Sequence, residues 1–286
     1  MAVPKTLVEV TVVGNDRKGV VADVTSFIFT IGGNIEKVNQ NVVRGLFGMQ
    51  LEASFQTIDK EKIDLGMRSL AKKLGMEIRV HYEEPNRLRN IAIFVSKEPK
   101  CLLRILEAKD DGLFNANIPV IVGSEGTLAP IADKNRIPFQ IIDNKQEPIL
   151  AENKILKLTE QYNIDLIILA RYMRVLSPNF VWRYPNRIIN IHPSLLPAFP
   201  GAYAYVQAYE RGAKIVGCTA HFVTEDLDQG PIIYQESFRV RETDTLDTIR
   251  RKGQSLEAET LLKATKLYLE GKLEIYWGRV HILGNI

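Results

Sequence analysis

Asn190 and His192 stand two residues apart at the end of an apolar run, and an acidic loop, Thr224-Glu225-Asp226-Leu227-Asp228-Gln229-Gly230, follows further along the chain. An amide, an imidazole and a carboxylate together suit attack on a carbonyl or formyl carbon. The amide donates to the developing oxyanion, the imidazole shuttles a proton, and the carboxylate orients water or tunes the ring. A strand alternates its side chains, so Asn190 and His192 project from one face while Ile191 turns away. Pro193 and Pro197 then stop the strand, because proline lacks an N–H and fixes its own backbone. A second apolar strand, 215–223, runs into the acidic loop, and folding that loop back beside His192 would complete the set. Spacing alone does not separate Asp228 from Glu225 and Asp226, and an acidic loop is by default a solvated face. Ser194 lacks a G-x-S-x-G elbow, which argues against a serine hydrolase.

Taken together, NIHPSLLPAFPGAYAY from Asn190 and GCTAHFVTEDLDQGPII from Gly217 resemble the folate-dependent formyltransferase and formyl-hydrolase superfamily. The resemblance implies that Asn190, His192 and Asp228 are the catalytic set. The stretch RYMRVLSPNF, 171–180, resembles the superfamily's folate-contacting loop, which implies that Arg174, Val175 and Leu176 pack on the pterin. His221 matches a further superfamily histidine and is expected at the substrate. Read without the resemblance, Val175 and Leu176 are core residues and His221 a satisfied buried histidine. Glu257, in a long helix, could also face the site. The folate substrate, 10-formyltetrahydrofolate, is the only organic group expected, with no further cofactor and no metal.

The 286 residues are 45% apolar and 25% charged, an ordinary globular balance. A net charge of +3 without a dense Lys/Arg run argues against nucleic acid as partner. Cys101 and Cys218 are the only cysteines, too few for a disulfide framework or a zinc set, so a reducing cytoplasm is expected. Glu9 interrupts the start as a signal peptide, and no apolar run approaches a membrane span, so no membrane partner is expected. Neither G-x-G-x-x-G nor G-x-x-x-x-G-K-[ST] occurs, which argues against nicotinamide or ATP.

Two different rhythms position these residues. Strand 7–13, helix 20–31, strands 35–43 and 47–55 around Arg44-Gly45, helix 61–74 and strand 76–82 give the ferredoxin-like α+β order. Within it, GNDRKGVVADVTSFIFTIGGNI resembles an ACT domain. That implies an amino-acid effector near Asn15, Asp16, Gly19 and Asn34, and sheet-edge pairing into a homo-oligomer, a dimer or tetramer. A helix N-terminus offers free N–H groups to a carboxylate; the plainer reading is that Asn15 and Asp16 only cap the helix.

Residues 85–90 read as a polar linker between an ACT-like domain, 1–84, and a catalytic domain, 91–286. From 91 onward, all-apolar strands alternate with helices, predicting an α/β domain built on a doubly wound, mostly parallel sheet. Ligands in such sheets bind at the carboxyl ends of strands, where 171–176 and Asn190-Ile191-His192 fall. A helix over 245–269, broken near Gly253, and a hairpin turning at Trp277-Gly278 complete the expectation.

An ACT-like unit ahead of such a catalytic domain resembles the formyl-hydrolase branch of the superfamily, which implies hydrolysis of 10-formyltetrahydrofolate to tetrahydrofolate and formate, with water as nucleophile. The stretch Ser96-Lys97-Glu98-Pro99-Lys100 agrees, since Glu98 and Pro99 make a poor phosphate cradle for a nucleotide acceptor. Pro193, Leu195, Pro200 and Val206 look instead like a transferase. The alternative is therefore formyl transfer to an amine such as glycinamide ribonucleotide. A third reading, an amino-acid-binding regulatory protein with a degenerate enzyme domain, sits poorly with an intact Asn190, His192 and Asp228.

Overall fold

The computed structural model describes residues 6–82, 84, 87–142, 147–199, 201 and 203–284. Pro85 and Asn86 of the expected linker, and Pro200, lie outside the described residues. The chain forms two compact units, Met1–Arg87 with Ser177–Pro185, and Leu88–Leu176 with Asn186–Ile286.

The first unit runs β1 (Thr6–Asn15), α1 (Val20–Thr30), β2 (Asn34–Val43), β3 (Leu46–Phe55), α2 (Lys60–Leu74) and β4 (Glu77–Tyr82). Its four-stranded sheet has the order β2-β3-β1-β4, antiparallel throughout. This is the expected ferredoxin-like arrangement. Alternation along β1 buries Val8, Val10 and Val12 on one face. They meet Val20, Val24 and Ile28 of α1, spaced four apart, and Ile63 and Met67 of α2. Asp59 caps α2 by accepting the Lys62 N–H at 3.0 Å.

The short helix α6 (Pro178–Val181) packs with this first unit. Arg183, just after it, forks onto Glu77 Oε2 at 2.9 and 2.6 Å, and the Trp182 ring lies against the backbone of Gly48. The sequence division assigns 177–185 to the second unit because nothing in its local pattern marks a long-range partner.

The second unit runs β5 (Asn90–Val95), α3 (Lys100–Asp110), β6 (Asn117–Gly123), α4 (Ala129–Lys134), β7 (Phe139–Ile141), α5 (Pro148–Gln161) and β8 (Leu166–Ala170). After α6 it resumes with β9 (Ile188–His192), α7 (Ala204–Glu210), β10 (Ile215–Phe222), β11 (Ile232–Arg239), α8 (Leu246–Leu269), β12 (Leu273–Tyr276) and β13 (Arg279–Ile282). The seven-stranded sheet has the order β11-β10-β9-β8-β5-β6-β7. Strands β9 through β7 in that order are parallel; β10 and β11 are antiparallel. The sheet is thus mostly parallel, as expected. Ile91, Ile93 and Val95 of β5 and Leu166, Ile168 and Ala170 of β8 share one buried cluster with Leu102 and Ile105 of α3 and Leu261 of α8. Burial on both faces is why β5 and β8 carry unbroken apolar sequence.

Helix α8 corrects one expectation. It is continuous through Gly253, with Thr245 capping it by accepting the Thr248 N–H. Gly253 is a packing position: a Cβ there would meet the Tyr205 hydroxyl oxygen at 2.3 Å. A packed neighbour, and not a need for a bend, accounts for the glycine. Among the described residues, no helix is long and apolar enough to cross a membrane.

Candidate active site

The antiparallel pairing of β10 with β9 sets His221 opposite Asn190 and Thr219 opposite His192. Asn190 and His221 are therefore cross-strand neighbours, their Nδ2 and Nε2 atoms 3.2 Å apart. His221 Nδ1 lies 2.8 Å from the Phe222 carbonyl oxygen, so the proton belongs on Nδ1 and Nε2 is left to accept from the Asn190 amide. Burial holds the His221 ring below the ordinary histidine value, although the Phe222 carbonyl and Asp228 pull the other way. A neutral His221 thus turns the Asn190 NH2 group and leaves its second N–H available to the cleft.

The acidic loop returns to His192. Asp228 Oδ2 lies 3.3 Å from His192 Nδ1 and accepts the Gly201 N–H at 2.9 Å. Its Oδ1 is 3.9 Å from His221 Nε2. Burial alone would raise the Asp228 carboxyl, but the His192 and Gly201 hydrogen bonds outweigh it and hold the group below the usual range. The loop reaches this point because Asp228 has φ 56° and because Gly230 follows. A Cβ at Gly230 would meet the Phe222 carbonyl oxygen at 1.7 Å, so only glycine lets the loop close there. The other ring nitrogen of His192 lies 3.0 Å from the Phe199 carbonyl oxygen. Both ring nitrogens face oxygen acceptors; an imidazolium can donate to both at once, a neutral ring to one.

These groups line a cleft of about 270 Å³ at the carboxyl ends of β8 and β9. Arg174, Val175 and Leu176 line it too: Leu176 is buried, while Val175 is 71% exposed at the mouth. Arg174 donates to the Ile142 carbonyl at 3.3 Å. Ser96, at the end of β5, accepts the Met173 N–H at 3.1 Å and the Ser124 hydroxyl at 2.8 Å, which fixes the start of this stretch. Glu98 accepts the Lys100 N–H at 3.2 Å and Gln254 Nε2 at 2.7 Å, so its carboxylate occupies the N-terminus of α3. The rivals Glu225 and Asp226 line the same cleft, but the carboxylate placed against His192 is that of Asp228.

Other expected residues fall elsewhere. Ser194 donates to the Ala198 and Phe199 carbonyls and so pins its own loop. Leu195 packs on Gly217, although Pro193 lines the cleft. Glu257 is fully buried behind the cleft. In the first unit Asp16 donates its N–H to the Gly45 carbonyl at 2.8 Å, and α1 starts at Gly19 with no side-chain cap, so Asn15 and Asp16 are not its caps. Asn15 pairs with Leu46, whereas Asn34 pairs with Ser54 at the far end of β3. Eight strand residues separate them, roughly 26 Å, so one chain does not bring Asn34 to Asn15, Asp16 and Gly19.

Sequence reasoning had Tyr172 only as part of the stretch 171–176, and missed Tyr203 on the cleft wall, the Phe199 carbonyl and the Gly201 N–H. Backbone groups carry no residue signature. Burial pushes the Tyr172 hydroxyl up to about 12.

A family model described as formyl transferase matches residues 89–265, and one described as ACT domain matches residues 6–81. A formyltetrahydrofolate deformylase of Bacillus subtilis (strain 168) is 39% identical, covering 91% of this chain and 88% of its own. The crystal structure of a formyltetrahydrofolate deformylase from Pseudomonas putida KT2440 matches with a TM-score of 0.65 at 32% identity, over 97% of this chain and 100% of that one. Glycinamide ribonucleotide transformylase 1 from Symbiobacterium toebii matches with a TM-score of 0.67 at 33% identity, over 71% of this chain and 97% of that one.

Proposed function

The chain belongs to the formyl transferase family and, within it, to the formyltetrahydrofolate deformylases that carry an ACT domain; on that premise we propose how this chain hydrolyses 10-formyltetrahydrofolate to tetrahydrofolate and formate. The observation that carries the mechanism is the convergence of Asn190, His192 and Asp228 on one cleft. Folate lies against 174–176, and its formyl carbon faces Asn190. Water adds to that carbon, its proton passes to Asp228 and from there to His192, 3.3 Å away, and the oxygen becomes an oxyanion held by the free Asn190 N–H. Collapse breaks the C–N bond as His192 protonates the leaving nitrogen, releasing tetrahydrofolate and formate. Asp228 suits the base role because its Oδ2 is engaged by Gly201 and His192 while Oδ1 remains for water. The step requires no metal and no organic group beyond the folate.

Hydrolysis is preferred to transfer because the deformylase relatives span both units, whereas the transformylase covers 71% of this chain. An amino acid at Asn15, Asp16 and Gly19 would regulate the enzyme, and the ACT unit would pair with a second copy in a dimer or tetramer. The reaction would belong to cytoplasmic one-carbon metabolism and purine biosynthesis; the two buried cysteines, which form no disulfide, fit a reducing compartment.

Purified protein given 10-formyltetrahydrofolate without an amine is expected to release tetrahydrofolate and formate in equal amounts. Asp228→Asn is expected to lose that turnover while still binding folate. Turnover that begins only when glycinamide ribonucleotide is added would replace hydrolysis with transfer.

A further inference from the structure

Behind the cleft, α8 carries a carboxylate that the proposed reaction does not use. Glu257 is fully buried. Its Oε1 accepts the Tyr205 hydroxyl, and its Oε2 faces Arg171 Nη1 at 3.3 Å. Arg171 lines the cleft; Tyr205 does not, but it lies two residues after Tyr203, which lines it too. Arg171 follows β8 with φ 60° and opens the stretch 171–176. Tyr205 opens α7, directly after the stretch holding the Phe199 carbonyl, which meets His192, and the Gly201 N–H, which meets Asp228.

A buried carboxylate is a costly way to hold a helix in place. Burial pushes the Glu257 carboxyl up, and Arg171 and the Tyr205 hydroxyl pull it back. An apolar side chain of similar volume would pack α8 without that penalty. The pairing is also not tuned for strength: among the described residues, Arg171 Nε and Glu257 Oε2 are buried without a hydrogen bond. At Gly253, one turn earlier on α8, a Cβ would collide with the Tyr205 hydroxyl, so the helix surface is cut back to admit this ring. What the arrangement does supply is a shared anchor, on the longest helix of the unit, for the loop 171–176 and for the start of α7.

We propose that Glu257 is a positioning residue that fixes the spacing of these two segments at the cleft, holding Arg171 in one and Tyr205 in the other. Its consequence for catalysis rests on the folate reading of this cleft; the anchoring itself does not. Loss of the Arg171 anchor loosens the loop that receives folate and shows mainly in KM. Loss of the Tyr205 anchor loosens the backbone groups that hold His192 and Asp228 and shows mainly in kcat.

Amide hydrogen exchange on the ligand-free full chain tests the anchoring. Glu257→Gln keeps the size and an acceptor for Tyr205 but removes the charge opposite Arg171. Tyr205→Phe removes one oxygen. Exchange is expected to rise about tenfold within 171–176 in the first variant and within 194–199 in the second, with β5 and β8 unchanged. With 10-formyltetrahydrofolate, Glu257→Gln is expected to raise KM about tenfold with kcat within about threefold, and Tyr205→Phe to lower kcat more than it raises KM. Unchanged exchange in both stretches, or a rise spread evenly over the unit, overturns the proposal. If Glu257→Gln does not fold, Tyr205→Phe decides alone by the same criterion. A wild-type protein without turnover would overturn the folate reading and leave the exchange comparison to judge the anchor.

Discussion

At the residue scale, the site pairs one strand-end amide with one strand-borne histidine; burial and the Phe222 carbonyl set the histidine, and the histidine turns the amide. On the proposed mechanism Asn190→Ala removes the oxyanion donor; kcat is expected to fall about a hundredfold or more with KM little changed, read from steady-state kinetics. His221 makes a prediction about stability. Its folded-state affinity for a proton is depressed, chiefly by burial. As pH falls below about 6.5 the unfolded chain takes up a proton that the folded protein refuses, so stability drops on acidification until His221 itself protonates. Urea unfolding at about pH 7.5 and about pH 5.5 is expected to show a smaller difference in His221→Gln than in the parent. Asn190 and His192 were legible in the sequence because strand alternation is a local property. Spacing alone did not separate Asp228 from Glu225 and Asp226, and only the motif resemblance singled it out, since what distinguishes it physically is a contact with a residue on another element.

At the element scale, the sheet delivers three of the side chains and the loops deliver the rest. The turn from β10 to β11 depends on one close approach. Gly230→Ala would drive a Cβ into the Phe222 carbonyl oxygen, which cannot yield as a flexible side chain would. Its turnover is expected to fall as far as that of Asp228→Asn, with the far-ultraviolet circular dichroism retained; a variant with normal turnover would show that the loop closes another way. The strongly periodic elements, α1, α2, β5 and β8, were legible because one face or both faces are buried. Strand β11 was not, because its Tyr-Gln-Glu-Ser centre alternates weakly and it pairs with β10 at the sheet's antiparallel end. Helix α8 was read as broken because glycine's helix penalty says nothing about the ring that packs on it.

At the scale of the whole molecule, residues distant in sequence share a unit. Removing residues 1–87 would strip Arg183 of Glu77 and Trp182 of the Gly48 backbone. The chain has two tryptophans, and Trp277 is 99% exposed. In a Trp277→Phe background, the emission of Trp182 is therefore expected to shift to the red in the truncated protein. Unchanged emission would show that 177–185 needs nothing from the first unit. By itself, the sequence determined the two fold rhythms, the strand that carries Asn190 and His192, and the motif blocks that the family shares, because each is written in neighbouring residues. The tertiary structure alone decided that Asp228 lies against His192, that His221 turns the Asn190 amide, that Asn34 stands far from Asn15, and that 177–185 packs with the first unit. Each of these is a pairing between segments tens of residues apart, which strand register and loop closure set and no local pattern encodes.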